Sequence, residues 1–277
     1  MRLAGVVTLY HPGENVFTNI NSYLDQLDIL YVLDNTEKPN DKIKARFSDN
    51  AKIKYIAFHD NMGIAFAMNY ALQAAKDYEF LLTMDQDSQF MPDMMATYKK
   101  AIEQFEKEHP KKIGEYAVNF DQRVDPIVSK PKYVNVAITS GSIISIQKSL
   151  EIGGFDDNLF IDEVDNDFSY RIQKKGLKII EFPFVILKHS LGKQTFHNIL
   201  GFSFNTFNHN ALRKYYITRN KIYMMKRYSG IRKQYMLELI KMIIKVILVE
   251  KNKGNKLEHI FMGCKDGIMN RMGKYLG

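Results

Sequence analysis

The sequence predicts an α/β fold: a mostly parallel twisted sheet flanked by helices, followed by a basic C-terminal helical extension. Strand-like and helix-like segments alternate over about the first 120 residues, which is typical of βαβ units. Three of the strand-like segments end in acidic or amide residues, and Lys and Arg accumulate after residue 210. We therefore expect two domains, residues 1–210 and residues 211–277.

The hydrophobic pattern predicts each element of the first half in turn. The predicted strands are LAGVVTLY, DILYVLDN, IKYIAFHD and EFLLTMD. The predicted helices between them are NVFTNINSYLDQL and the alanine-rich GIAFAMNYALQAAKDY. Right-handed crossovers place the carboxyl ends of parallel strands along one edge, where ligands bind in open α/β sheets. We expect three polar strand ends to meet there: Asp34-Asn35, Asp60-Asn61 and Asp85-Gln86-Asp87.

The second half of the sequence does not continue the regular alternation of strands and helices. Residues 134–139 are strand-like, and the following SGS (residues 140–142) predicts a turn whose backbone a ligand can approach. A dense acidic cluster leads into a helix that stops at Gly176, and acidic residues are favoured at a helix N-terminus. Residues 177–192 are expected to form a strand pair or an extended segment.

Composition limits the class of protein. The single cysteine, Cys264, excludes a disulfide framework and a cysteine-based zinc site, and it fits a reducing compartment. We expect no signal peptide and no membrane-spanning segment, and hence a cytoplasmic location. The sequence lacks Gly-x-Gly-x-x-Gly and Gly-x-x-x-x-Gly-Lys, so the usual dinucleotide-binding and P-loop motifs are not supported.

The net charge of +8 is unevenly distributed. From Ala211 onward there are 16 basic and 4 acidic residues (+12), against 23 basic and 27 acidic residues before it (−4). Such a tail suits anionic lipid or a phosphate-bearing substrate, although a solvated helical face is the simpler explanation. Nucleic acid is not an expected partner, because no recognition motif appears and the predicted crevice is acidic. The apolar helix around residues 234–250 is expected to pack on the domain, to form a homodimer, or to lie on a membrane.

Asp85 and Asp87 carry the clearest chemical signal. Residues two apart in an extended segment point the same way, so their carboxylates repel unless something positive lies between them. A divalent metal, a basic side chain or water would satisfy that requirement.

An ordered set of motifs over about residues 3–192 resembles the inverting family-2 glycosyltransferases, which have the GT-A nucleotide-sugar fold. The motifs are VVTLYHP, VLDNT, NMGIAFAMNYAL, MDQDS, TSGSIIS, IGGFDDNLFIDEVDNDFSYRIQKKG and LKHSLG. MDQDS matches the Asp-x-Asp of that family. Within the family, FIDEVDNDFSYR and the C-terminal KDGIMNRMGKY most resemble bacterial rhamnosyltransferases of cell-surface polysaccharide assembly.

The resemblance implies roles for residues that bind the nucleotide-sugar donor. Thr8 and Tyr10 would border the base and ribose, and Asp34 would hydrogen-bond the base. Asn61 and Gly63 would line the diphosphate. For Asp34, the alternative is that its side chain caps a turn.

The resemblance also implies the metal site. Asp87 would ligate Mn²⁺ or Mg²⁺ between the two phosphates, Asp85 would contact the ribose or the metal, and His189 would be a further ligand. A strand-end histidine that is merely hydrogen-bonded is the alternative for His189.

On the acceptor side, the resemblance aligns Asp165 with the catalytic base. Gly141, Asp162 and Glu163 belong to the same acceptor-side region. The alternative for Asp165 is helix capping, and Arg171 either pairs with these acids or lies on the surface.

The implied activity is metal-dependent, inverting transfer of a sugar such as rhamnose from a dTDP- or UDP-linked donor. The implied acceptor is a bacterial surface glycan or a lipid-linked glycan, with peripheral contact at the inner membrane face. One alternative is a nucleotide-sugar pyrophosphorylase. Such an enzyme needs a glycine-rich basic loop near the N-terminus, and YHPGENVF is not such a loop. The other is a catalytically inactive binding or scaffold protein.

Overall fold

The computed structural model describes residues 1–109, 112–120, 130–189, 194–199 and 201–277. The chain forms two compact units. The first comprises Met1–Asp157 and Val164–Ser190, and the second comprises Asn158–Glu163 and Leu191–Gly277. The predicted domain boundary at residue 210 stays a prediction.

The first unit is built around a sheet of nine strands within the described residues. The strands are β1 (Leu3–Leu9), β2 (Ile29–Asp34), β3 (Ile53–Ala57), β4 (Phe80–Asp85), β5 (Gln89–Phe90), β6 (Ile113–Asn119), β7 (Lys132–Val134), β8 (Ser142–Ser145) and β9 (Lys178–Lys188). The strand order is β3-β2-β1-β4-β8-β6-β9-β5, and β7 pairs with β9.

One half of this sheet is parallel and the other half is mixed. Strand β1 pairs in parallel with β2 and β4, and β2 pairs in parallel with β3. Strand β8 is antiparallel to β4 and β6, whereas β6 and β9 are parallel. The predicted α/β sheet flanked by helices is therefore confirmed, and its antiparallel pairs lie beyond β4.

The helices of the first unit cover the sheet. They are α1 (Asn15–Asn21), α2 (Asp41–Ser48), α3 (Ile64–Ala74), α4 (Met94–Glu108), α5 (Ile146–Glu151) and α6 (Val164–Lys174). Helix α3 shows why the sequence folds this way, because Ala65, Ala67, Met68, Ala71 and Leu72 are all buried. Small apolar residues on one helix face allow close packing against a sheet.

The structure tests two predictions for the second half. The predicted strand at residues 134–139 is wrong, because β7 ends at Val134. The amide of Ala137 donates to Ser169 Oγ of α6 (3.2 Å), so this backbone bonds to a helix side chain at that point. Residues 178–188 form the single strand β9, which is the extended segment named as the alternative to a strand pair.

The second unit contains a hairpin and three helices within the described residues. These are β10 (Thr195–Ile199), β11 (Phe202–Thr206), α7 (Ala211–Arg227), α8 (Arg232–Leu248) and α9 (Lys253–Met269). Two glycines of α9 allow α7 to approach closely. A Cβ at Gly263 would lie 2.5 Å from the carbonyl oxygen of Tyr215, and one at Gly267 would lie 2.8 Å from that of Arg219.

Several basic side chains of the C-terminal region form hydrogen bonds and ion pairs inside the second unit. Lys214 and Lys256 both donate to the buried Glu250 at 2.7 Å. The fully buried Arg219 donates to the carbonyl oxygen of Gly273 at 2.6 Å. These side chains therefore stabilise the unit by internal contacts.

Within the described ranges, none of the helices combines the length and the apolar character that crossing a membrane requires.

Candidate functional site

The carboxyl ends of the parallel strands bring the predicted donor residues to one edge of the sheet. Thr8 at the end of β1 lies beside Asp85 of β4, and Leu9 lies beside Asp34 of β2. The Oγ1 atom of Thr8 is buried and has no hydrogen-bond partner among the described residues. This edge therefore presents a carboxylate next to an unused hydroxyl.

Asp34 is held in place by its neighbours. Its Oδ1 accepts from the amide of Thr36 (2.9 Å), and its Oδ2 accepts from the Tyr55 hydroxyl (2.6 Å). Burial and the bond to Asp34 raise the pKa of Tyr55. The turn-capping contact named as the alternative for Asp34 is thus present, and the predicted base contact stays a prediction.

Asn61 and Gly63 form the entrance to α3. The amide of Gly63 donates to Asn61 Oδ1 (3.1 Å), and Gly63 has φ 88°, which favours glycine. Asn35 Nδ2 donates to the carbonyl oxygen of Gly63 (3.2 Å), which ties the end of β2 to this turn. The two predicted diphosphate residues therefore lie on a fixed loop.

Gln86 fixes the loop between the two aspartates. Its Oε1 accepts from the amide of Tyr10 (2.9 Å), and its Nε2 donates to the Tyr10 carbonyl oxygen (3.1 Å). Asn19 Nδ2 donates to the Gln86 carbonyl oxygen (2.8 Å). The exposed Tyr10 ring consequently lies at the loop that carries Asp85 and Asp87.

Asp85, Asp87 and His189 come together as a candidate metal site. Each offers one ligand atom, and these three atoms lie within 4.8 Å of one another. His189 is close to Ser88 because β5 and β9 pair in antiparallel register, with Gln89 opposite Lys188. The prediction that His189 joins the Asp-x-Asp pair therefore has a basis in the sheet register.

Two serines hold the residues of this candidate metal site in place by hydrogen bonds. Ser88 Oγ hydrogen-bonds His189 Nδ1 (2.8 Å), and Ser140 Oγ donates to Ser88 Oγ (2.7 Å). The amide of Asp85 donates to Ser140 Oγ (3.2 Å). Ser88 therefore fixes the orientation of the His189 ring, whose Nδ1 also lies 3.8 Å from Asp87 Oδ1.

The donor set fits a hard divalent cation. Carboxylate oxygens suit Mg²⁺ and Mn²⁺, which take only one or two protein carboxylates when substrate phosphates complete the coordination. The side chain of Asp87 is 46% exposed and that of His189 is 15% exposed, so a bound phosphate can reach the Asp87 side of the cluster.

The turn at residues 140–142 links this cluster to strand β6. Gly141 has φ 82°, and its amide donates to the carbonyl oxygen of Thr83 on β4 (2.8 Å). A Cβ at Gly141 would lie 2.6 Å from Val118, so neither the backbone angle nor the space admits a larger residue. The predicted turn is present, with Ser140 on one side and Ser142 on the other.

Glu115 of β6 is a buried carboxyl beneath this turn. Ser142 Oγ lies 2.9 Å from Glu115 Oε1 and 2.7 Å from the carbonyl oxygen of Ile138. One hydroxyl has one proton, so a protonated Glu115 that donates to Ser142 satisfies both contacts. Burial raises the pKa of Glu115 to about 8, and the charge of Asp165 adds to the increase. Glu115 is therefore expected to be neutral at pH 7.

Asp165 lies in the first turn of α6, where its Oδ1 accepts from the amide of Asn166 (2.9 Å). Ser169, one turn later on the same helix face, donates to Glu115 Oε2 (3.3 Å). Hydrogen bonds thus run from Asp85 through the 140–142 turn to Glu115 and α6. Asp165 therefore belongs to the same unit as the candidate metal site and is connected to it by this turn.

Arg171 and Asp167 form an ion pair within α6. Arg171 Nε lies 2.6 Å from Asp167 Oδ2, and Asp167 is fully buried. Arg171 therefore pairs with a neighbouring acid, which was one of the two roles expected for it.

Asp162 and Glu163 belong to the second unit and are engaged there. Asp162 Oδ1 accepts from Arg213 (2.7 Å), whereas its buried Oδ2 has no partner within the described part of the chain. Burial raises the pKa of Asp162, against the lowering effect of Arg213. Glu163 accepts from Lys221 (2.9 Å) and from the Tyr235 hydroxyl.

Replacing Glu115 with Gln should change how stability depends on pH. The carboxyl pKa rises from 4.5 in the unfolded chain to about 8 on folding, so the native state holds the extra proton between these values. The stability of the parent protein should then fall as pH rises through this window, by up to about 1.4 kcal/mol per pH unit. The amide of Gln should remove this loss.

Urea unfolding of both proteins at several pH values measures this difference. Glu115→Gln should match the parent near pH 4 and exceed it in stability above pH 8. The exposed Glu108→Gln is the control and should parallel the parent throughout. A stability difference between Glu115→Gln and the parent that is constant with pH would contradict the assignment.

Sequence reasoning missed Ser88 and Glu115 of this network, and it named Gln86 and Ser140 only as parts of a polar strand end and of a turn. Ser88 immediately follows the Asp-x-Asp motif, but a small hydroxyl there has no distinctive pattern. Glu115 did leave a signal, because it is a lone carboxyl in the otherwise uncharged strand IGEYAVN. A charge at a buried strand position indicates a specific polar partner.

The sequence is similar to a known protein family and to two characterised proteins. Residues 6–114 match the family model described as Glycosyl transferase family 2. The dTDP-rhamnosyl transferase RfbF of Shigella flexneri is 24% identical over 291 residues, which covers 97% of this chain and 96% of that protein. The bifunctional protein GlmU of Methanococcus maripaludis (strain C7 / ATCC BAA-1331) is 26% identical over 119 residues, covering 43% of this chain and 28% of that protein.

Solved structures with the same fold are glycosyltransferases of the GT-A class. The crystal structure of GalNAc-T7 with UDP, GalNAc and Mn²⁺ superposes with a TM-score of 0.60 at 12% identity. The match covers 97% of this chain, which spans 56% of the length of that structure. Residues 1–349 of S. aureus TarS superpose with a TM-score of 0.50 at 14% identity, covering 98% of this chain and 72% of that one. Residues 6–114 therefore form a family-2 glycosyltransferase domain, and the chain has the fold of GT-A glycosyltransferases.

Proposed function

We propose that the protein is a metal-dependent, inverting glycosyltransferase that transfers a sugar from a nucleoside-diphosphate donor to a glycan hydroxyl. The observation that carries this proposal is the convergence of Asp85, Asp87 and His189 at the carboxyl end of β4, beside Thr8. Similarity to a dTDP-rhamnosyl transferase over 97% of the chain favours rhamnose as the sugar and dTDP as the nucleotide. A UDP-linked donor is the other candidate.

The residues at the sheet edge have distinct tasks in this proposal. Thr8 offers its unpartnered hydroxyl to the ribose, and the exposed Tyr10 ring borders the base. Asp34 orients the base-binding turn through Thr36 and Tyr55. The loop at Asn61 and Gly63 lines the diphosphate, because the Gly63 backbone admits close approach.

Asp87, Asp85 and His189 would hold Mn²⁺ or Mg²⁺ with the donor diphosphate. When bound, such an ion neutralises the negative charge that collects on the departing diphosphate. Ser88 and Ser140 keep the imidazole and the Asp85 loop in one arrangement before the donor arrives. This pre-ordering avoids reorganisation during the reaction.

Asp165 accepts the proton of the acceptor hydroxyl as that oxygen attacks the anomeric carbon. One new glycosidic bond forms while the bond to the diphosphate breaks on the opposite face, so configuration inverts. The leaving diphosphate needs no proton, and one carboxylate base is therefore enough. Gly141 provides the small turn of the acceptor side in this proposal.

The acceptor in this proposal is a growing bacterial surface polysaccharide or a lipid-linked glycan. The protein would then act on the cytoplasmic side, in peripheral contact with the inner membrane. The basic C-terminal region supplies the charge that such contact uses.

A thermal-shift screen of dTDP-, UDP- and GDP-sugars with Mn²⁺ tests the donor assignment. We expect dTDP-rhamnose to raise the melting temperature most, with UDP-sugars next, and we expect EDTA to abolish the increase. Absence of a metal-dependent shift with all three nucleotides would contradict the proposed donor site.

A further inference from the structure

Helix α8 turns an apolar face outward. Six of its large apolar side chains are between 45% and 56% exposed. They are Met236, Leu237, Ile240, Ile244, Ile247 and Leu248. At about 100° per residue these positions occupy one arc of roughly 120° around the helix. They therefore form one continuous apolar stripe, which we call the α8 face.

The opposite side of α8 packs inside the second unit. Tyr235, Leu239 and Val246 are buried. Glu238 accepts from Lys221 at 2.7 Å, and Lys245 donates to the carbonyl oxygen of Asn205 at 2.8 Å. The polar stripe of this helix is thus partly engaged with the protein while the α8 face meets solvent. An exposed apolar patch of this kind on a protein marks an interaction surface.

Charge indicates what covers the α8 face. The second unit contains 17 Lys and Arg against 6 Asp and Glu, a net charge of +11. Exposed Lys233 lies one turn before Leu237 on the α8 face, and exposed Lys241 lies at its edge. Apolar side chains bordered by basic residues suit the interface of an anionic bilayer.

A second copy of this chain suits the face less well. Joining two α8 faces would bring two units of charge +11 together, and like charges oppose such contact. Each lysine would instead be attracted to an anionic lipid surface.

We propose that the α8 face docks the protein peripherally on anionic lipid, inserting its apolar side chains among the acyl chains and its lysines among the headgroup phosphates. This inference specifies the membrane contact of the proposed function and is independent of sugar transfer.

Sedimentation of the full chain with vesicles tests the proposal. One set of vesicles contains phosphatidylcholine alone, and the other contains added phosphatidylglycerol. The parent protein should bind the anionic vesicles and lose most of this binding at high salt. Leu237→Gln with Ile240→Gln and Ile244→Gln should weaken binding by about tenfold or more.

A matched pair of charge variants separates the α8 face from general basicity. Lys233→Gln with Lys241→Gln should weaken binding to anionic vesicles by several-fold. Lys100→Gln with Lys107→Gln removes the same charge from exposed positions of α4 in the first unit and should leave binding unchanged. Equal losses in the two pairs would overturn the docking site.

Further measurements distinguish lost membrane docking from misfolding, from an active-site defect and from dimerisation. Far-UV circular dichroism and Mn²⁺-dependent nucleotide binding should be unchanged in the α8 variants, so a folding or active-site defect is distinguishable from lost docking. Analytical ultracentrifugation should show the parent as a monomer at micromolar concentration. Failure of the parent to bind anionic vesicles, unimpaired binding by the triple variant, or a dimer that the triple variant dissociates would each overturn the proposal.

Discussion

Asp87→Ala is expected to abolish metal-dependent binding of nucleoside diphosphates, with a loss of affinity of about 100-fold or more. Asp87 supplies one of the two carboxylates of the candidate site. Its side chain is more exposed than that of His189, with which it pairs. Without it, the remaining ligands are Asp85 and His189. The diphosphate would then face an incompletely neutralised site, so transfer should be lost as well.

The fold should survive this change, because Asp87 is exposed and its ion pair with His189 is long, at 3.8 Å. Isothermal titration with Mn²⁺ alone, and then with the nucleotide, separates metal binding from nucleotide binding. The control is Asp77→Ala, which removes an exposed aspartate shortly before β4. Parent-like, EDTA-sensitive nucleotide binding in the Asp87 variant would place the metal elsewhere.

Asp165→Asn is expected to lower the rate of transfer by about 10²- to 10⁴-fold while leaving donor binding nearly unchanged. The amide keeps the shape of the side chain but does not take up a proton at pH 7. The charge of Asp165 also raises the pKa of Glu115, so the variant should show a weaker decline of stability with pH. Single-turnover transfer assays and nucleotide titrations measure the two functional effects separately.

Asp167→Asn is the matched control, two residues along the same helix. Asp167 is fully buried and pairs with Arg171 at 2.6 Å, so its loss should reduce stability by several kcal/mol. Its activity should fall only as far as the folded fraction falls. If Asp165→Asn transferred sugar at the parent rate, the catalytic base would be another residue. If the parent protein itself transferred no sugar, the protein would be an inactive scaffold.

The alternating pattern of the first 120 residues was sufficient to predict the parallel half of the sheet. Strands β1, β2 and β4 are mostly apolar until their last residues, and the polar residues that follow Val7, Leu33 and Met84 gather at one edge. This works because crossover handedness leaves parallel strands few ways to be arranged. The same logic failed at residues 134–139, where the Ala137 amide bonds to Ser169.

The sequence by itself determined the acidic strand ends, the Asp-x-Asp pair and the basic tail, since these depend on local pattern and composition. Tertiary structure alone decided that Ser140, Ser88 and His189 form one chain of hydrogen bonds, because they are distant in sequence and meet through strand pairing. It also decided which side of α8 faces water. Periodicity shows that a helix has two unlike sides, but only the partners it packs against determine which side is covered.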